Sequence, residues 1–480
     1  MNIASSPGRP VAPPRTRLLV LTLAALAAGA CTDFDPARVS GPQPEASVVD
    51  GGLDAELRTY LDQHGFTGRI AGTLEARLGR RIDIQLADLG RLLWFDPIQG
   101  LNDDNTCAGC HSPTNGFGDS QPMAIGIDNN GIVGPDRTGP RNQRRSPMVV
   151  NNVFYPTLMW NSRFRALSGD PFDNRAGFEF PQPEGLSLSE QPHLLTAQAF
   201  IPTTERVEEA GFHFPGDNDA IRNEVMRRLA ESDEYRARFA RVFRDVKAGA
   251  PISYDHFARA IAEFEFTQVY ADAPIDRYAR GIRNAMTGSQ KRGAILFFGR
   301  AGCVDCHAVA GGSNEMFSDF QEHVAGIPQV SPSFTNTTFD GPGQNEDFGL
   351  EQATGDPADR YAFRTSPLRN VALQPAFMHN GAFVRLEDAV RYHLDAEGQA
   401  ATYTTELLPP DMQGPTGPLE PVLERLDPLL QNPVQLTDEE LEALLDFVGA
   451  GLLDPAARPS RLSRFIPNEL PSGRPTLIFR

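Results

Sequence analysis

Cysteine is nearly absent, with five in 480 residues. That is too few for a disulfide scaffold, so each group of cysteines needs its own explanation. Positive charge is short as well: 44 Lys+Arg against 62 Asp+Glu leave a formal charge of −18. A nucleic-acid binder needs a basic face, and this balance argues against one. Long apolar runs are missing too. The longest, 18–30 (LLVLTLAALAAGA), is too short to cross a bilayer as a helix. What is plentiful is glycine (43) and proline (40), which promises long connections between ordered elements. Apolar residues make up 40%, enough for packed cores, and the length argues for two or three domains.

The amino-terminal stretch reads as an export signal. Arg9, Arg15 and Arg17 precede the apolar run, no acid interrupts it, and small residues end it. Ala28-Gly29-Ala30-Cys31 resembles a bacterial lipobox, in which the cysteine is acylated. Residues 1–30 are therefore expected to be a lipoprotein-type signal peptide and 31–50 a flexible tether. The protein would sit in the periplasm, with the outer membrane favoured. It would touch the membrane only through a lipid at Cys31.

The other four cysteines form Cys107-Ala108-Gly109-Cys110-His111 and Cys303-Val304-Asp305-Cys306-His307. Each is C-x-x-C-H, the attachment signal for c-type haem. Two residues between the thiols let both sulfurs reach the two vinyl groups on one porphyrin edge. The histidine that follows then faces the iron. Chance gives about 0.001 such motifs in a chain of this composition, so two are a specific signal. A zinc site built from all four thiolates would leave both histidines as coincidences.

The surroundings of the two motifs repeat. Gly90-Arg-Leu-Leu-Trp-Phe95 precedes the first and Gly293-Ala-Ile-Leu-Phe-Phe298 the second, each at the end of a helical stretch. Thr287 with Gln290 and Thr437 with Glu440 read as capping boxes. Tyr254, Phe257, Ala258, Ile261 and Phe264 share one helical face over 254–269. Leu441, Leu444, Leu445 and Val448 continue the 437–448 helix, which Gly449 should stop. Residues 386–394 are amphipathic, and strand-like alternation is scarce. We expect a mainly α protein of two cytochrome-c-like haem domains, 51–280 and 281–455. Gly/Pro-rich loops would fill 126–147, 168–194, 308–360 and 396–434, and 456–480 would form an extension.

With these features the sequence resembles the bacterial di-haem cytochrome c peroxidase family, including its MauG-like branch. The carrying stretches include Phe95-Asp96-Pro97, Arg145-Ser146-Pro147 with Asn151, Trp160-Asn161-Ser162-Arg163 and Ile327-Pro328-Gln329. Thr354-Gly355-Asp356-Pro357, Phe363-Arg364-Thr365-Ser366-Pro367-Leu368-Arg369-Asn370 and His379-Asn380-Gly381 complete them. The resemblance implies two covalently bound haem c groups, a peroxide site at the first and an electron relay at the second. His111 and His307 would be the proximal ligands, and Trp160 would bridge the haems. His393 falls where the family places the relay's distal ligand, next to Tyr392. Imidazole there favours Fe(III) relative to a thioether. The first haem's usual removable ligand position reads Ile127, which cannot bind iron. That suggests an open site, with His193 and His213 as the alternatives. Glu205, in Ile201-Pro202-Thr203-Thr204-Glu205, takes the distal-acid position. Its plainer role is a first-turn carboxylate on a helix capped by Thr203 or Thr204. Relatives hold an inter-domain calcium with an Asn and two carbonyls. Here Arg145 occupies the Asn position, with Gln374 and Ala376 near the carbonyls and Asn142 as a substitute, so calcium is not favoured.

The expected activity is reduction of hydrogen peroxide to water with electrons from a small c-type cytochrome or cupredoxin. A second reading is peroxide-driven oxidation of a protein or organic substrate, as in the MauG-like branch. A third is an electron-transfer or redox-sensing cytochrome without turnover. Family members are often dimers, which makes a homodimer an expectation by analogy.

Overall fold

The computed structural model describes residues 51–181, 184 and 188–480. The leader, Cys31 and the tether lie outside the described residues. The fold is mostly helical, and its strands are two or three residues long.

Two helix crossings organise it, each made by the same device. In the first, the Ile84–Phe95 helix crosses the Tyr254–Phe266 helix at Gly90. A Cβ on Gly90 would stand 1.8 Å from the Ala260 carbonyl oxygen and 3.0 Å from the Phe264 Cβ. In the second, the Gly288–Phe298 helix crosses the Asp438–Asp446 helix at Gly293. There a Cβ would stand 1.9 Å from the Ala443 carbonyl oxygen and 2.7 Å from the Phe447 Cβ. Only glycine lets two backbones approach so closely. Both expected capping boxes form, Thr287 with Gln290 and Thr437 with Glu440. The Asp438–Asp446 helix does not give way to a stop at Gly449. It widens into a π turn over Phe447–Gly451, and Phe447, Val448 and Gly449 are buried there. Gly449 keeps a negative φ, so the left-handed stop that a glycine can supply is not used.

Two hydrophobic clusters lie behind these crossings. One gathers Leu89, Leu93, Trp94, Phe117, Phe257 and Phe264, and the other Phe297, Phe298, Phe317, Tyr392, Leu444 and Phe447. The chain ends cross over between them. Leu57 and Leu61 of the Gly51–Gln63 helix join the second cluster, whereas Leu462 and Leu470 join the first. Ile478–Phe479 pairs in parallel with Ile132–Val133. Asn151 and Asn370 clasp the halves together, each donating its side-chain amide to the Tyr270 carbonyl, at 2.9 and 3.0 Å. Both open a short 3-10 turn at positive φ (67° and 62°), a conformation asparagine tolerates.

Candidate functional site

Each C-x-x-C-H borders a cavity. The first is about 300 Å³ and contains Cys107, Cys110 and His111 in its wall. The second is about 310 Å³ and contains Cys303, Cys306 and His307. The duplicated packing reaches the histidines. His111 Nδ1 donates to the Phe117 carbonyl (3.2 Å) and His307 Nδ1 to the Phe317 carbonyl (3.0 Å). Trp94 lies 5.9 Å from the His111 ring, as Phe297 lies 6.4 Å from the His307 ring. Burial pushes both histidines down to about 4, so both are neutral, with Nε2 left as the free lone pair. Trp94 is also buried in the first core.

In the second cavity His393 faces His307, with ring centroids 6.3 Å apart. Two metal–imidazole bonds of about 2 Å, plus roughly 1 Å from each nitrogen to its ring centre, add to about 6 Å. The gap therefore has room for one metal ion. His393 Nδ1 donates to the Ala389 carbonyl at 2.8 Å, again leaving Nε2 free. The ring is carried by the Leu386–Leu394 helix, where Tyr392 turns inward and donates to the Gly326 carbonyl instead.

The first cavity is different. His111 is the one imidazole among its described lining residues. Ile127 is buried outside that lining. His193 is a core residue with both ring nitrogens engaged, by the Val153 carbonyl and the Leu195 amide. His213 is exposed and away from the cavity. Acids take the place of a second imidazole: Glu205, Glu208, Glu209 and Glu265 all line the wall. Glu205 pairs with Arg163 at 3.4 Å and is partly exposed. It lies between the Pro202–Thr204 turn and the Arg206–Ala210 π turn, not in the first turn of an α-helix. Burial, reinforced by the Glu205 charge, raises Glu208 to about 7. Burial raises Glu265 to about 8 and Glu209 well above the usual range. One oxygen each of Glu209 and Glu265 is buried without a partner, and Asn152 donates to the other Glu265 oxygen at 2.7 Å. Sequence reasoning singled out Glu205 alone. The overlooked signal for Glu265 is its place four residues beyond Ile261, a charge interrupting the Phe257–Ile261 stripe.

Trp160 lines both cavities. It sits in the hairpin between Thr157–Leu158 and Phe164–Ala166. Its indole N–H donates to the Arg145 carbonyl (2.9 Å), and its own carbonyl accepts the Arg364 amide (2.8 Å). Arg145, at the expected calcium position, is buried and donates Nη2 to the Gln374 side chain at 2.9 Å. Asn142 lines the first cavity instead. Cys306, Asp319 and His323 come within metal-binding reach of one another. However, Asp319 and Asp427 engage both His323 nitrogens, and Cys306 belongs to the haem motif.

The residues fit two c-type haems: paired thiols, a neutral histidine with a free Nε2, and a flanking cavity in each case. Fold and site together suit a di-haem c-type protein. Residues 85–284 match the family model described as di-haem cytochrome c peroxidase. Cytochrome c551 peroxidase of Pseudomonas aeruginosa is 29% identical over 312 residues, 65% of this chain and 72% of that one. Methylamine utilization protein MauG of Methylorubrum extorquens is 28% identical over 324 residues, 68% and 72% of the two chains. Among solved structures, a MauG-like protein associated with microbial copper homeostasis matches in fold with TM-score 0.55 and 22% identity. The match covers 78% of this chain and 91% of that one. The diheme peroxidase BthA from Burkholderia thailandensis matches with TM-score 0.51 and 19% identity, over 82% and 90%. Over residues 85–284 and across these relatives the chain is similar to the di-haem cytochrome c peroxidase family, an oxidoreductase family that includes MauG.

Proposed function

We propose that this protein reduces hydrogen peroxide to water at the first cavity, using electrons that enter at the second. The overall change is H2O2 + 2e⁻ + 2H⁺ → 2H2O. The observation that carries the reading is the contrast between a first cavity walled by carboxylic acids and a second closed by two opposed imidazoles. Haem, when bound, would supply the redox-active iron in each cavity; Cys107, Cys110 and His111 would hold it in one, and Cys303, Cys306, His307 and His393 in the other.

The chain's own residues move protons and set the path. Glu208, poised near 7, delivers a proton to the departing peroxide oxygen and is reprotonated through Glu205 at the partly exposed rim. We take Glu208 as the proton donor in preference to Glu205, which is partly exposed and pairs with Arg163. Trp160 is the bridge between the cavities. Tyr155 also lines both, but its hydroxyl donates to the Val150 carbonyl (3.1 Å), which cannot accept a proton from an oxidised phenol. An indole can lose an electron and keep its N–H. The acidic chain suits a donor with a basic patch, a small c-type cytochrome or a cupredoxin. We further propose export to the periplasm with a lipid at Cys31. The buried Arg145 guanidinium at that position argues against calcium there.

Turnover of peroxide with reduced cytochrome, on protein never pre-reduced, tests the reading. Rapid turnover supports it, and low-spin irons inert to peroxide overturn it. A long-lived oxidised state with slow cytochrome oxidation would instead favour oxidation of a protein or organic substrate. The similarity to MauG proteins supports that second reading.

A further inference from the structure

We propose that Arg145 and Arg364 form one cationic wall that binds the carboxylate side chains of both haems. The proposal rests on the di-haem reading. Arg145 and Arg364 each line both cavities, and each is nearly fully buried, at 4% and 3% exposure. Trp160 ties them together, through its indole N–H to the Arg145 carbonyl and its carbonyl to the Arg364 amide.

Neither guanidinium forms an ion pair with a described carboxylate. Arg145 donates Nη2 to the Gln374 amide oxygen, and its buried Nε has no partner. Arg364 donates Nε to the Met159 carbonyl and Nη1 to the Thr365 carbonyl. The nearest acids are engaged elsewhere. Asp119 accepts the Gln121 and Ser146 amides, Asp319 holds His323, and Glu322 pairs with Arg165. A buried charge without a paired counter-ion is costly, and burial, only partly offset by more distant acids, pulls both guanidiniums down to about 10. Two such groups at one wall call for anions there. Each haem carries two carboxylates on the edge opposite its cysteine-linked vinyl groups, and both cavities reach this wall. Arginine's planar fork suits carboxylate oxygens.

The test is spectroelectrochemistry of the purified haem-loaded protein, with haem counted first by mass. Removing the cation leaves a carboxylate uncompensated near each iron and favours Fe(III). In Arg145→Met and Arg364→Met, both midpoint potentials should fall by at least a tenfold change in each one-electron reduction equilibrium, about 59 mV. Arg145→Lys should recover most of the shift. Arg163→Met, which touches the first cavity alone, should move one potential only. One moved potential, or none, in the Arg145 and Arg364 variants overturns the proposal. Wild-type potentials that respond to inorganic phosphate at constant ionic strength put a free anion on the pair and overturn it too. Protein without thioether-linked haem overturns the di-haem reading and this assignment together. Two haems with unmoved potentials overturn the assignment alone.

Discussion

The two cavities share a frame and differ in what fills it. Gly90 and Gly293, Trp94 and Phe297, Phe117 and Phe317, and Phe264 and Phe447 do the same work around each histidine. Beyond that frame the second cavity carries an opposed imidazole, and the first carries four carboxylic acids. On the function proposed above, the duplicated parts would hold the prosthetic group, and the parts that differ would decide whether an iron relays an electron or meets a substrate.

Each half of this comparison can be broken separately. The largest effect should come from Glu208→Gln. It should lower peroxide turnover by about 10²- to 10⁴-fold, as loss of a general acid does, and leave haem content unchanged. Steady-state kinetics with reduced cytochrome measure it. An equal loss in Glu205→Gln with none in Glu208→Gln would reverse the assignment of the two acids. Next, Gly90→Ala and Gly293→Ala should each destabilise by about 3 kcal/mol, since the new methyl meets backbone that cannot yield. Denaturation of both variants checks whether the two crossings are equivalent. His393→Met should raise the second centre's midpoint potential and leave the first unchanged, since Met/His ligation lies above bis-His. A visible-region redox titration resolves the two.

The smallest effect concerns pH. Glu265 has its folded pKa raised to about 8, above the unfolded value near 4.5. The protonated acid is favoured in the folded state, so its contribution is complete below about 4.5 and is lost as pH rises towards 8. Thermal melts should therefore show Glu265→Gln gaining on the wild type between about pH 5 and 9 and matching it at about pH 4. Parallel melting curves across that range would refute the buried neutral acid.

The frame was legible because its signals are local. Two C-x-x-C-H motifs, a glycine five residues before the end of each preceding helix and two capping boxes all fall within a few residues of what they build. Trp160 was legible only by resemblance. The rest of the site was not. Glu208 and Glu209 sit in a π turn whose position depends on contacts from Leu101 and Ile127. The Arg145–Arg364 wall joins residues 219 positions apart (364 − 145), through a hairpin loop neither belongs to. The crossover of the chain ends between the two cores is equally long-range, and no periodicity announces it.

The parallel strand pair has a consequence for how the protein is made. Ile478–Phe479 seals the loop that follows the first haem motif, and Arg480 pairs with Asp136 across a separation of 344 residues. The amino-proximal core is thus incomplete until residues 478–480 are in place. Such distant closure is entropically slow. Cys107 and Cys110 consequently stay on an unsealed segment until that pairing forms.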